Sequence, residues 1–189
     1  TYGQGNHSNP GCYLEFEDGS TEPLFVPSGG QTGYKAVGSF HVPVNGEVDV
    51  TADFDVRKSV VKAGSSGKYI LKPTIRLVVD NQAGKIKGDI TGIEENSTVV
   101  VYAYETGSYN ESEADEPAEE ATRFPNAVSS DVADEAGHYH IAYLAEGTYD
   151  LVVAVFDENE EITVAGIIED VEVESRKATI QNIDLNSFE

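Results

Sequence analysis

DFDVRKSVVKAGSSGKYILKPTIRL, residues 53–77, sets a helix signal between two strand signals. Asp53 and Phe54 close an alternating run that begins at Glu47, the period of a half-buried strand. Asp55 suits a helix cap, because its carboxylate accepts from the unpaired N–H groups of a first turn. Val56 to Lys62 then read as the helix body, and Gly64 suits the left-handed position that ends a helix. Gly67 turns the chain into a strand that runs to Lys72-Pro73. The expected element is a short helix filling a corner between strands.

Outward from this stretch the dominant period is two. Alternation predicts strands at Tyr34–Val42, Glu47–Phe54, Thr98–Tyr104, Tyr139–Leu144, Tyr149–Phe156 and Glu169–Glu174. Gly, Asn and Asp clusters punctuate them at short spacings, as in a β-sandwich. Tyr149, Leu151, Val153 and Val155 point one way, while Val152, Ala154 and Phe156 point the other. A strand apolar on both faces belongs at the centre of a packed sheet. Ser108–Glu120, SYNESEADEPAEE, is acidic and poor in large apolar residues, which predicts a flexible loop unable to bury itself. The 189 residues suffice for one large or two small domains.

The net charge of −22 is unevenly placed. Residues 1–82 carry 7 Lys/Arg against 9 Asp/Glu, and residues 83–189 carry 5 against 25. The break predicts a domain boundary near Asp80 to Ala83. The fold expected is all-β, with two consecutive β-sandwich domains at 1–82 and 83–189. The first is incomplete at its N-terminus and carries the one short helix. A surface this acidic excludes nucleic acid, because phosphate binding needs clustered Lys and Arg. No run of 18 apolar residues is present, which excludes a transmembrane helix. The single cysteine, Cys12, excludes an intramolecular disulfide and is expected to be a small buried residue.

Two passages carry resemblances. Glu17-Asp18-Gly19-Ser20, Leu24-Phe25-Val26-Pro27-Ser28-Gly29, Gly33-Tyr34-Lys35, Asp53-Phe54-Asp55, Ser59-Val60-Val61 and Gly67 to Pro73 resemble, over residues 12 to 79, the C-terminal part of a surface-lipoprotein family known as domain of unknown function 4382. The resemblance implies an exported protein at the outer surface of a bacterium or archaeon, anchored in the outer membrane through an absent N-terminal half. It also implies a first sandwich that lacks strands. Such a sandwich leaves backbone groups unpaired along an edge, open to pairing by another chain's strand. In the second half, Asp134, Gly137, Tyr139, Ile141, Leu144 and Gly147 to Leu151 form a pattern similar to the carboxypeptidase-regulatory or transthyretin-like sandwich over residues 83 to 185. That fold is widely reused and says little about function.

Candidate chemistry is sparse. Gly64-Ser65-Ser66-Gly67-Lys68 lacks the spacing of a phosphate loop and reads as a turn. His138 and His140 lie on one face of a strand, a spacing that chelates zinc when a third ligand joins. If Tyr139 and Ile141 face the core, both histidines face solvent. Asp131, Asp134 and Glu135 cluster before Gly137, and oxygen-rich turns hold calcium, although no D-x-D-x-D-G motif is present. Asp53 is expected to pair with Lys72 or Arg57. Asn6, Asn96 and Asn110 begin glycosylation acceptor triplets, of consequence only for certain source organisms. Tyr102 and Tyr104 share a face, as in sandwich cores. The expectation is a surface structural or adhesive protein that is not an enzyme and needs no cofactor. It would partner other protein chains, its own copies included, in a fibre or assembly. A carbohydrate-binding surface module is the second expectation, and a metal-dependent enzyme the third.

Overall fold

A computed structural model describes residues 11–16, 18–27, 36, 40–42, 44–63, 67–119 and 121–188. By contact the chain forms two compact units. Unit 1 comprises Thr1–Ser39, Ala52–Leu77 and Glu116–Pro125; unit 2 comprises Phe40–Thr51, Val78–Asp115 and Asn126–Glu189. Among the described residues the fold is all-β with one short α-helix.

In unit 1 a four-stranded sheet runs β1 (Tyr13–Glu15), β2 (Thr21–Phe25), β5 (Lys68–Leu71), β4 (Val60–Ala63). β3 (Val50–Asp55) pairs with β6 (Thr74–Val79) in a separate ribbon. The helix, α1, spans Val56–Ser59, and Asp55 caps it as expected by accepting from the Lys58 N–H at 3.1 Å. It does not reach Lys62. Val60 and Val61 are β-branched and stiff, and they pair with Leu71 and Ile70 of β5 instead of closing another turn. Buried Ser59 fixes the change of direction. Its carbonyl accepts from the Lys72 N–H at 2.7 Å and its hydroxyl from the Thr74 N–H at 2.8 Å. The Asp53 carboxylate meets Arg76, not Lys72 or Arg57, since β3 lies beside β6. Gly33-Tyr34-Lys35, Gly64 and Asn6 lie outside the described residues. Phe40-His41-Val42 and Glu47–Asp49 are not strand, so the runs expected there are shorter or absent. Cys12 is exposed rather than buried, because it precedes the three-residue edge strand β1, which has too little cover for its flank.

Within unit 2, strands between Ala83 and Asp184 build two facing sheets. One runs β10 (His138–Ala145), β7 (Ala83–Thr91), β13 (Ala178–Ile180), with β14 (Ile183–Asp184) also on β7. The other runs β12 (Ile162–Val173), β11 (Gly147–Phe156), β8 (Thr98–Glu105), β9 (Ser129–Val132). The core between them takes Ile86 and Ile90 of β7, Val99, Val101 and Ala103 of β8, Tyr139 and Ile141 of β10, and Tyr149, Leu151 and Val153 of β11. β7 approaches the C-terminal strands closely. A Cβ on Gly88 would stand 2.0 Å from the Gln181 carbonyl oxygen, so nothing larger than glycine fits there. The Tyr149 hydroxyl donates to the Ala145 carbonyl at 2.9 Å, and the Tyr139 hydroxyl to Gln181 at 2.6 Å. Burial raises the Tyr139 phenol above its ordinary range.

The sheet of β8 and β11 is buried on its other face too, at Val100, Tyr102, Tyr104, Val152 and Ala154. Asp150 is buried there as well and accepts from the Gly107 and Asp170 N–H groups at 2.7 and 3.1 Å. The acidic stretch Ser108–Glu120, expected to be flexible, is held over its first part, Tyr109–Asp115, by the following contacts. Asn110 caps a 3₁₀ turn, Glu111–Ala114, accepting from the Ser112 N–H at 3.0 Å. Glu113 is buried, and its carboxylate accepts from the Tyr104 hydroxyl at 2.9 Å, the Asn126 N–H at 3.1 Å and the Asn126 amide at 3.0 Å. Tyr109 packs edge-on against Tyr104 with ring centres 5.1 Å apart. Burial first, and the neighbouring Glu113 second, hold the Tyr104 phenol far above its ordinary range.

Candidate functional site

The sequence candidates meet at one end of β10. Alternation along β10 sends Tyr139 and Ile141 into the core and leaves His138 and His140 exposed. Antiparallel pairing sets His138 opposite Asp89 and His140 opposite Lys87 of β7. A cleft of about 520 Å³ opens there, lined by Lys87, Asp89, Asp131, Asp134, His138 and His140 among others.

Each of its carboxylates has structural work. Asp134 sits in the turn before β10, and its Oδ1 accepts from the Ala136 and His138 N–H groups at 2.9 and 2.8 Å. These backbone bonds, that of His138 first, lower its pKa below the ordinary carboxylate value. Gly137 follows at φ +83°, and a Cβ there would stand 2.5 Å from the Ile90 carbonyl oxygen, so the turn requires glycine. Asp131 Oδ2 accepts from the His140 N–H at 2.6 Å, tying β9 to β10. Asp89 Oδ1 lies 2.6 Å from His138 Nδ1. That hydrogen bond first, then the charges of Asp134 and Asp89, raise the His138 pKa above the usual imidazole value.

The structure thus brings together Asp131, Asp134, His138 and His140, and adds Asp89 and Lys87, which sequence reading missed. The alternation Lys85, Lys87, Asp89 along β7 marks an outward face, but the partner strand could not be read locally. Glu135 is exposed in the turn and does not line the cleft. Among the described residues, no three His, Cys, Asp or Glu side chains converge as a metal-ligand set. Tyr102 and Tyr104 are 6% and 0% exposed, so that pair is core and offers no stacking platform. The Asn110 amide caps its own 3₁₀ turn. Among the described residues, no helix is long and apolar enough to cross a membrane.

The family profile described as Domain of unknown function (DUF4382) matches residues 5–73, which bears out the resemblance carried by Asp18, Gly19, Leu24 and the stretch from Asp53 to Pro73. No curated protein matches the chain. Among solved structures, a similar chain is GBS52, the minor pilin of the Gram-positive pathogen Streptococcus agalactiae, at 16% identity and a TM-score of 0.32. The alignment covers 59% of this chain and 48% of the pilin, so the chain spans about half that protein's length.

Proposed function

We propose that the chain is a non-enzymatic structural or adhesive protein of the cell exterior, exported and working as a subunit of a surface assembly. Its two parts would be the C-terminal portion of a lipoprotein-type domain and a carboxypeptidase-regulatory-like sandwich. One observation supports this above others: the three carboxylates of the cleft beside β10 are spent on the scaffold. Asp131 and Asp134 hold backbone N–H groups, and Asp89 holds His138, so the carboxylates act as strand fasteners. Asp134, held below its ordinary pKa, is poorly suited to general base work, which is most efficient near the working pH. A rigid, two-faced β-scaffold with a soluble acidic surface suits a passive load-bearing or spacing role.

The test is fractionation of source cells with an antibody to the chain, followed by electron microscopy of the surface fraction. Recovery in that fraction, within ordered particles or fibres, is the expected result. Recovery in the cytoplasm, or turnover of a substrate by the purified protein, overturns the reading.

A further inference from the structure

Unit 2 contains 25 Asp/Glu and four Lys/Arg: Lys85, Lys87, Arg176 and Lys177. All four line two adjoining clefts on the outer side of β10, β7 and β13, with His140 shared by both. Lys87 stands among Asp89, Asp131 and Asp134 in the first cleft, whereas Lys85, Arg176 and Lys177 gather in the second. The second cleft, about 270 Å³, is lined by Lys85, Arg176, Lys177, His140 and Tyr143, with Asp80 its one acid. Backbone bonds fix its walls: the Arg176 N–H donates to Ala83 at 2.8 Å and the Lys85 N–H to Lys177 at 3.1 Å. Lys177 also reaches Glu174 at 2.6 Å, while among the described residues the Lys85 and Arg176 side chains have no ion-pair partner. Tyr143 stands in the break of register between Ile141 and Leu144, at φ +56°, and is 40% exposed. An aromatic residue in the left-handed region is a costly conformation. Bulges of this kind re-aim a side chain, here along the rim of the cationic cleft.

The opposite charge stands at the other sheet. Asp157 Oδ1 accepts from the Asn159 and Glu161 N–H groups at 2.8 and 2.9 Å, tightening the turn between β11 and β12. Glu158, Glu160 and Glu161 are exposed on it and make no ion pair among the described residues. Three carboxylates within four residues, on a turn already ordered, need little further ordering to bind.

We propose that the Lys85–Arg176–Lys177 cleft binds the Glu158–Glu161 turn of a second copy of this chain. The contact joins two different patches, so each copy keeps one patch of each kind for a further neighbour, and the rotation between copies decides between a ring and a fibre. It deepens, and rests on, the reading of the chain as an assembly subunit. Charge complementarity confers register and orientation here and makes the contact sensitive to salt.

The experiment is sedimentation velocity over a concentration series of the full chain. At roughly 0.15 M salt a screening length of about 8 Å damps the repulsion between copies that each carry −22 yet leaves the close contact, and at roughly 1 M it falls to about 3 Å, so association at the first and dissociation at the second are expected. R176E/K177E and E158K/E161K each weaken association by about tenfold or more. An equimolar mixture of the two variants restores it, because each reversed patch then meets its complement. Association indifferent to both variants overturns this contact and leaves the assembly reading standing. Wild-type protein that stays monomeric, yet binds a polyuronate through Arg176 and Lys177, overturns it in favour of an anionic glycan. Only the cell fractionation bears on the surface reading itself.

Discussion

Unit 1 is nearly neutral, with 8 Lys/Arg against 9 Asp/Glu, whereas unit 2 carries 4 against 25. Mutual repulsion of that size disfavours a compact state. Yet among the described residues the buried hydrophobic side chains are concentrated in unit 2, and only Val61, Leu71 and Phe124 fall in unit 1. The difference teaches that surface charge and core quality are set separately. Along β8 and β11 both faces are largely apolar, so most acids fall outside these two strands, Asp150 being buried with both carboxylate oxygens bonded. Unit 1 has short strands; exposed large apolar side chains occur in both units, Tyr13 and Val56 in unit 1, Val44 and Ile180 in unit 2.

The sharpest test of the comparison is a matched pair of core truncations. Leu151→Ala, in a fully buried site of unit 2, is expected to cost about 2–5 kcal/mol, and Leu71→Ala in unit 1 less, because its site is more open and collapses more easily. Urea denaturation of both variants decides it, and equal losses would break the contrast. Glu113→Ala comes next, at about 1–3 kcal/mol, since the Tyr104 hydroxyl and Asn126 donors lose their acceptor. Hydrogen exchange should then speed up at Asn126 and along Asn110–Asp115 while the β8 and β11 amides stay protected. In unit 1, Asp55→Ala removes the helix cap and should cost about 1 kcal/mol, read from the same denaturation curves.

The smallest effect is the pH response of His138. Its pKa is raised in the folded state, so its contribution to stability is fully present below about pH 6.5 and is lost as pH rises through the higher folded value. Asp134 runs the other way. Its lowered pKa contributes stability above the ordinary carboxylate range, and this is lost as pH falls through the folded value. An NMR titration of the imidazole in Asp89→Asn should show the His138 pKa fall back towards its ordinary value. An unmoved titration would remove Asp89 as the main cause.

The strands at Thr98–Glu105, His138–Ala145 and Gly147–Phe156 were legible because their own side chains alternate or are apolar throughout. The helix cap at Asp55 was legible for the same local reason. The helix end was not, since Leu71 and Ile70 of β5, 11 and 9 residues on, capture Val60 and Val61. The acidic stretch misled because burial of Glu113 depends on Tyr104 and Asn126, 9 and 13 residues away, which no local composition reveals. At the cleft, alternation alone placed His138 and His140 outward. Asp89 became their neighbour through the register of β7 and β10, fixed 49 residues away in the chain.

Parallel pairing at the edge of β7 has a mechanical consequence. β13 and β14 run in the same direction as β7, with Ala178 beside Lys85 and Ile183 beside Ile90. A pull applied upstream of Ala83 and downstream of Asp184 therefore drags these strands lengthwise past one another. Their bonds, among them Gln181 N–H to Lys87 at 2.9 Å and Asp89 N–H to the Asn182 side chain at 3.1 Å, take the load together and do not unzip one at a time. With Gly88 seated directly against Gln181, that seam has little room to slip. Tension along the chain meets the sandwich in shear, the direction in which a β-ladder yields last.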